Sequence, residues 1–107
     1  MEFVKSTFHC NRCGRVHEEK EVSDFLGNLF HNMQVYFGYA SPFDEDIVKF
    51  SICELCLFEF FRSFKHRPIV DEQDLVDCFD VCRTQESPYV GRAHIETYKR
   101  LESLEKK

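Results

Sequence analysis

The sequence predicts an α+β fold in which a cysteine knuckle and a β-hairpin pack on a phenylalanine-rich helix, with two further helices at the C-terminal end. Three observations lead to this prediction. Two Cys-x-x-Cys steps are separated by 39 intervening residues, two β-leaning runs flank a turn-rich loop between them, and a strong helical pattern starts at the second step. We expect one domain over residues 1–107, with a zinc-binding core over 1–67 and a helical extension over 68–107.

The chain before the long loop is predicted to be mostly extended. Residues 2–8 alternate loosely and predict a short strand that leads into the first cysteines. Gly14 directly follows Cys13 and supplies the positive φ that a tight knuckle turn needs. Residues 15–21 are polar and predict an irregular or extended segment, and residues 23–28 predict one helical turn that ends at Gly27-Asn28.

Two runs rich in β-formers predict a hairpin with a long loop. The first extends from Leu29 to Phe37, and the second alternates from Ile47 to Ile52. Between them, residues 38–46 are rich in Gly, Ser, Pro and Asp, which are typical of turns.

The strongest helix prediction runs from Glu54 to about Lys65. Four apolar residues share one face at helical spacing: Leu57, Phe60, Phe61 and Phe64. Because little of the first two turns is polar, we expect this helix to be central and covered on several sides.

Two more helices are expected toward the C-terminus. Asp71 is the predicted N-cap of a helix that runs to about Thr84, and residues 87–91 predict a break. A third helix is predicted from Ala93 to about Glu105, after which Lys106-Lys107 is expected to fray.

The two Cys-x-x-Cys steps predict one structural zinc site. Two such steps can close a tetrahedral four-thiolate shell around one Zn²⁺, with the ligands Cys10, Cys13, Cys53 and Cys56. Thioredoxin-like redox use is the rival for either step alone, but there are two steps and neither lies in a βαβ pattern. His9 or His17 could replace a cysteine, although four thiolates make either unnecessary.

The remaining cysteines, Cys78 and Cys82, are four residues apart. They could share a second metal site with His66 or His94, or they could be small core residues of one helix face. Their role stays open at this point.

The order of knuckle, hairpin and cysteine-bearing helix resembles the treble-clef group of zinc fingers over Thr7 to Lys65. The combined pattern is Cys-x-x-Cys-Gly at 10–14, Phe-Gly-Tyr-Ala-Ser at 37–41 with an Asp at 44, and Ile-Cys-x-x-Cys at 52–56. It is similar to small bacterial and phage proteins of the zinc-ribbon-like, four-cysteine kind, mostly uncharacterised. The resemblance implies a structural zinc. Those proteins often carry glycine where Ala40 and Glu45 stand here.

Composition and charge limit the classes of function that fit this sequence. The formal charge of −5 disfavours sequence-independent nucleic-acid binding and suits a basic protein partner. A cytoplasmic location is expected, since no secretory signal pattern opens the sequence, no apolar run approaches about 20 residues, and unpaired cysteines fit a reducing compartment. No catalytic set is recognisable, so we expect no enzyme.

The leading hypothesis is therefore a non-catalytic, zinc-stabilised interaction protein that masks a protein partner, for example an immunity protein or antitoxin. The loop from Tyr36 to Phe43, aromatic and followed by acids, is either its interface or a cover for the hairpin and metal site. The alternative is a zinc-finger-type nucleic-acid-binding regulator, which needs five cations on one face: Arg12, Arg15, Arg62, Lys65 and Arg67. An enzyme would need an open metal position beside a group such as His17, Glu18 or His31.

Overall fold

The computed structural model describes residues 6–19, 25–84 and 94–107, and over these residues it contains three α-helices, three antiparallel hairpins and one 3₁₀-helix. The predicted α+β class is confirmed. The chain forms two compact units, Met1–Cys53 with Glu105–Lys107, and Glu54–Leu104. The subdivision at residue 67 stays a prediction.

A short hairpin carries the first cysteine pair. Its strands β1 (Ser6–His9) and β2 (Val16–Glu19) pair antiparallel and flank the knuckle turn. The Gly14 N–H donates to the Cys10 carbonyl oxygen at 2.9 Å, and Gly14 has a φ of +84°. The predicted turn and its positive φ are therefore present, and β2 shows that the segment after the knuckle is extended rather than irregular.

The C-terminal residues pair with this hairpin. The Lys107 N–H donates to the Gly14 carbonyl at 2.7 Å, and the Val16 N–H donates to the Glu105 carbonyl at 2.9 Å. The prediction that Lys106-Lys107 frays is wrong, because backbone groups of the knuckle bind a segment some 90 residues later in the chain, a contact to which local pattern gives no clue.

The long hairpin follows a 3₁₀-helix at Leu26–Leu29. Strands β3 (Phe30–Tyr36) and β4 (Ile47–Cys53) pair antiparallel over their whole lengths, which confirms the predicted hairpin. The 3₁₀-helix occupies the place of the predicted helical turn, of which only residues 25–28 are described. Within the loop, Ala40 and Glu45 have φ values of +83° and +75°.

The first helix of the second unit, α1 (Glu54–Arg62), is shorter than predicted. The Ser63 N–H donates to the Phe60 carbonyl at 3.1 Å, an i→i−3 bond that tightens and ends the helix before Lys65. The buried side chains of α1 are Leu55, Cys56 and Phe58, whereas Phe60 is 53% exposed. The predicted apolar stripe is therefore not the buried face of α1.

A small hairpin, absent from the sequence prediction, separates α1 from the next helix. Strands β5 (Ile69–Val70) and β6 (Gln73–Asp74) are joined by two residues with positive φ, Asp71 at +49° and Glu72 at +64°. Positive φ at both central positions is the mark of a type I′ hairpin turn.

The N-cap of α2 (Leu75–Thr84) is Asp74, so the prediction of Asp71 is wrong. The Asp74 Oδ1 accepts hydrogen bonds from the Val76 N–H at 2.9 Å and the Asp77 N–H at 3.4 Å. Sequence preference alone cannot distinguish the two acids, because aspartate favours both caps and left-handed turns.

The three helices pack through aromatic and aliphatic side chains. The Phe58 and Phe79 rings stack with centroids 3.9 Å apart, and the Tyr98 ring meets Phe79 edge-on. From α3 (His94–Glu102), Leu101 is fully buried, and the Tyr98 hydroxyl donates to Glu54 Oε2 at 2.5 Å.

The predicted break at residues 87–91 and the start of the third helix at Ala93 lie outside the described residues. Among the helices that the structure does describe, none has the length and apolar character needed to cross a membrane.

Candidate metal centre

Four cysteine sulfurs converge at one point. The Sγ atoms of the two predicted pairs all lie within 4.8 Å of one another, and their residues are Cys10, Cys13, Cys53 and Cys56. Cys13 is half-buried, while the other three are almost completely buried. The Cys13 and Cys53 sulfurs are 3.8 Å apart, far beyond the roughly 2.05 Å of a disulfide bond. The four thiols are therefore free and could hold a metal ion.

Asn11 couples the knuckle to the strand that carries the third cysteine. Its N–H donates to the Ser51 carbonyl at 2.8 Å, and its side-chain Oδ1 accepts from the Ser51 N–H at 2.7 Å. Asn11 thus binds both backbone polar groups of Ser51 in β4, two positions before Cys53. This pair of hydrogen bonds between knuckle and strand explains why cysteines 40 residues apart meet.

The second pair lies at a strand-to-helix junction. Cys53 is the last residue of β4, and Cys56 falls in the first turn of α1. The unpaired N–H groups at a helix N-terminus favour negative charge, which suits a thiolate there.

Backbone donors also favour the charged form of Cys10. Burial by itself raises the pKa of this thiol, but hydrogen bonds from the backbone of Cys13, Cys53 and Arg12 outweigh it and lower the pKa from 9.0 to about 6. One of these donors, the Cys13 N–H, lies 3.5 Å from the Cys10 sulfur. The site is thus arranged for a thiolate ligand near neutral pH.

Arg15 supplies a positive charge to the cluster, a contact that the sequence analysis missed. Its Nη1 lies 3.2 Å from the Cys13 sulfur and 3.8 Å from the Cys53 sulfur. Burial alone would lower the pKa of Arg15, but the neighbouring Cys13 and Cys53 thiolates raise it above its ordinary value. The only signal of this contact in the sequence is a cation two residues after Cys13.

The other predicted ligands lie elsewhere. In the described part of the chain, the four-cysteine cluster is the one group of three or more potential metal ligands, and it includes neither His9 nor His17. His17 is buried with its ring 6.4 Å from that of Phe8. Cys78 and Cys82 are half-buried on α2, where the Cys78 thiol donates to Gln73 Oε1 at 3.2 Å. Among the described residues, neither α2 cysteine belongs to a group of three or more potential metal ligands.

The cations that a nucleic-acid site would need are largely engaged with acids or thiolates. Arg62 forms a bidentate ion pair with Asp80, and Arg67 Nε lies 3.5 Å from Asp74 Oδ2. Arg15 faces the cysteine sulfurs.

Comparison of the chain with protein-family models, with curated proteins and with solved structures gives no match. The treble-clef type and the likeness to small bacterial and phage proteins stay predictions.

Proposed function

We propose that the four cysteines hold one structural Zn²⁺ in a non-catalytic protein that binds and masks a protein partner. The four-thiolate donor set supports the first part. A tetrahedral zinc with Zn–S bonds of about 2.3 Å has sulfur–sulfur edges of about 3.8 Å. The Cys13–Cys53 distance of 3.8 Å matches that edge. Four protein ligands fill a tetrahedral shell and leave no position for a substrate, which is typical of structural zinc.

The zinc-dependent part of the proposal is tested on the purified chain. Because the unfolded chain holds no preformed site, zinc binding contributes directly to the free energy of folding. Cys53→Ser should therefore lose its zinc and its cooperative urea transition, whereas the matched control Cys78→Ser should keep one zinc per chain. A Cys53→Ser variant that is zinc-free and unfolds cooperatively at the wild-type urea midpoint would contradict the structural role.

The exposed surface of the long hairpin supports the second part of the proposal, that the protein binds a protein partner. The β3–β4 register places Met33 opposite Phe50 and Val35 opposite Val48, so these four side chains share one sheet face. Met33, Val35 and Val48 are 37%, 42% and 44% exposed. Contiguous exposed apolar side chains are a mark of interaction sites.

The loop at the end of this hairpin adds aromatic and acidic groups. The Tyr39 side chain is 95% exposed and Phe43 is 56% exposed. Three consecutive exposed acids follow, Asp44, Glu45 and Asp46. Together with the formal charge of −5, this surface is complementary to a protein with a basic patch beside apolar groups. An immunity protein or antitoxin that covers a basic toxin is a concrete form of this function.

The interaction is tested by affinity purification from the native host with and without nuclease, using three versions of the tagged chain. We expect a stoichiometric basic protein that survives nuclease and that Asp44→Lys loses. The matched control Glu72→Lys, an exposed acid in the β5–β6 turn, should retain it. Salt-sensitive retention of nucleic acid, with proteins lost on digestion, would instead favour the nucleic-acid-binding regulator. Equal retention by both variants would exclude the hairpin loop as the contact surface.

A further inference from the structure

We infer that Arg15 is an internal counter-ion that protects the half-buried ligand Cys13 from chemical attack; this inference rests on the proposed zinc site. The geometry singles out this pair. The Arg15 Nη1 lies closer to the Cys13 sulfur, at 3.2 Å, than to the Cys53 sulfur, at 3.8 Å. Of the four ligands, Cys13 alone is not fully buried.

The backbone holds Arg15 in this position from two sides. Its carbonyl oxygen accepts a hydrogen bond from the Cys10 N–H at 2.9 Å. On the other side it forms an isolated β-bridge with Lys106 of the C-terminal segment. The guanidinium therefore starts from a fixed backbone point next to the knuckle.

The Arg15 side chain makes its hydrogen bonds to the cysteine sulfurs. The Arg15 Nε atom is buried and has no hydrogen-bond partner among the described residues. A buried donor left without a partner is unfavourable. This arrangement persists because the same side chain brings its charge to the thiolates.

The negative charge of the proposed zinc site favours a cation such as Arg15 beside it. Four thiolates around one Zn²⁺ leave a net charge of −2 in a largely buried site. A guanidinium at hydrogen-bond distance offsets part of this charge, and its N–H group engages the sulfur lone pairs that would otherwise attack an electrophile. Arginine suits this role better than lysine, because a guanidinium stays charged in a partly buried position, whereas the pKa of a buried lysine shifts readily.

The consequence concerns the rate at which the site is destroyed. With iodoacetamide, the Cys13 sulfur forms a C–S bond to the methylene carbon, iodide leaves, and the alkylated ligand releases zinc. Arg15 slows this step by holding the lone pairs of that sulfur.

The test compares zinc-loaded wild type, Arg15→Gln, Arg15→Lys and Arg12→Gln; Arg12 is an exposed arginine of the same turn. Zinc release in excess iodoacetamide is followed with a chromogenic chelator, and mass spectrometry identifies the first cysteine alkylated. We expect Arg15→Gln to release zinc about tenfold faster, the factor that matches loss of one hydrogen bond to a charged group. Arg12→Gln should behave as wild type, Arg15→Lys should be intermediate, and Cys13 should be labelled first.

The inference is overturned if Arg15→Gln carries one zinc and releases it at the wild-type rate, or if another ligand is labelled first. Absence of zinc from the wild-type chain would instead refute the proposed metal site itself. If Arg15→Gln does not fold, the wild-type chain loaded with ¹¹³Cd²⁺ decides the question. A coupling between the metal and an Arg15 guanidinium proton through the Cys13 sulfur is then expected, and its absence contradicts the inference.

Discussion

Replacing Gly14 by alanine tests how the C-terminal segment supports the knuckle turn at residues 10–14. Gly14 has a φ of +84°, and a Cβ there would lie 2.8 Å from the Lys107 carbonyl oxygen and 3.3 Å from the Lys107 nitrogen. Both are backbone atoms, so the segment itself must move. That movement disrupts the 2.7 Å hydrogen bond from the Lys107 N–H to the Gly14 carbonyl.

The magnitude follows from two contributions. A left-handed conformation at a non-glycine residue costs about 1–2 kcal/mol. Loss of one backbone hydrogen bond costs about 1 kcal/mol more. We therefore expect Gly14→Ala to lower the free energy of unfolding by about 2–3 kcal/mol, which is a large share of the stability of a small domain.

The assay is urea unfolding followed by circular dichroism at a fixed free zinc concentration, because metal binding itself shifts the midpoint. The matched control is Gly38→Ala, where an added Cβ meets no atom within 4 Å. Its φ lies outside the left-handed region, so we expect no loss of stability.

A shortened chain without Lys106 and Lys107 separates the two contributions. In that chain, Gly14→Ala should lower the free energy of unfolding only by the backbone strain, about 1–2 kcal/mol. The reasoning is refuted if Gly14→Ala unfolds at the same urea concentration as Gly38→Ala. It is also refuted if the shortened chain shows the full effect, since the clash with Lys107 would then be irrelevant.

Four further predictions concern the long hairpin loop, the α2 cap, the β5–β6 turn and Cys10. Ala40→Gly should raise the unfolding free energy by about 1 kcal/mol in urea titrations, because Ala40 has a φ of +83°; an unchanged or lower midpoint would contradict the left-handed conformation. Asp74→Ala should lower it by about 1 kcal/mol through loss of the α2 cap. Asp71→Gly should instead raise it, because this acid has a φ of +49°. The pKa of Cys10 falls from 9.0 to about 6 on folding, so its contribution to stability is complete above the unfolded value and is lost as pH falls through about 6. Because zinc competes with protons for this thiolate, the midpoint of zinc release on acidification should lie below pH 6, and release above pH 7 would contradict the assignment.

Several features followed from local pattern because local interactions govern them. The spacing within each Cys-x-x-Cys step places both sulfurs of a pair on one turn. The β-leaning runs around a turn-rich loop predict a hairpin, which β3 and β4 confirm. The position of Gly14 directly after Cys13 predicts a positive φ, and its φ of +84° agrees. The start of α1 at Glu54 likewise follows from its own periodicity.

The apolar pattern of α1 did not identify one buried face, and tertiary packing determined which face is buried. The face of α1 with the best spacing contains no buried residue, and its Phe60 is 53% exposed, while Leu55 and Phe58 are buried. Phenylalanine occurs on both sides of this helix, so composition offered no choice between them. The stacking of Phe58 on Phe79 buries the face of α1 that contains Phe58.

The sequence by itself thus determined the two Cys-x-x-Cys pairs, the long hairpin and the α+β class, since local spacing and residue pattern encode each of them. Only the tertiary structure decided that Asp74 rather than Asp71 caps α2, that Lys107 binds Gly14, and that the Arg15 guanidinium meets the cysteine sulfurs. The physical reason is the same in each case. A capping group, a backbone donor or a guanidinium has several partners of similar local preference, and the free energy that selects one comes from residues brought close by the rest of the fold.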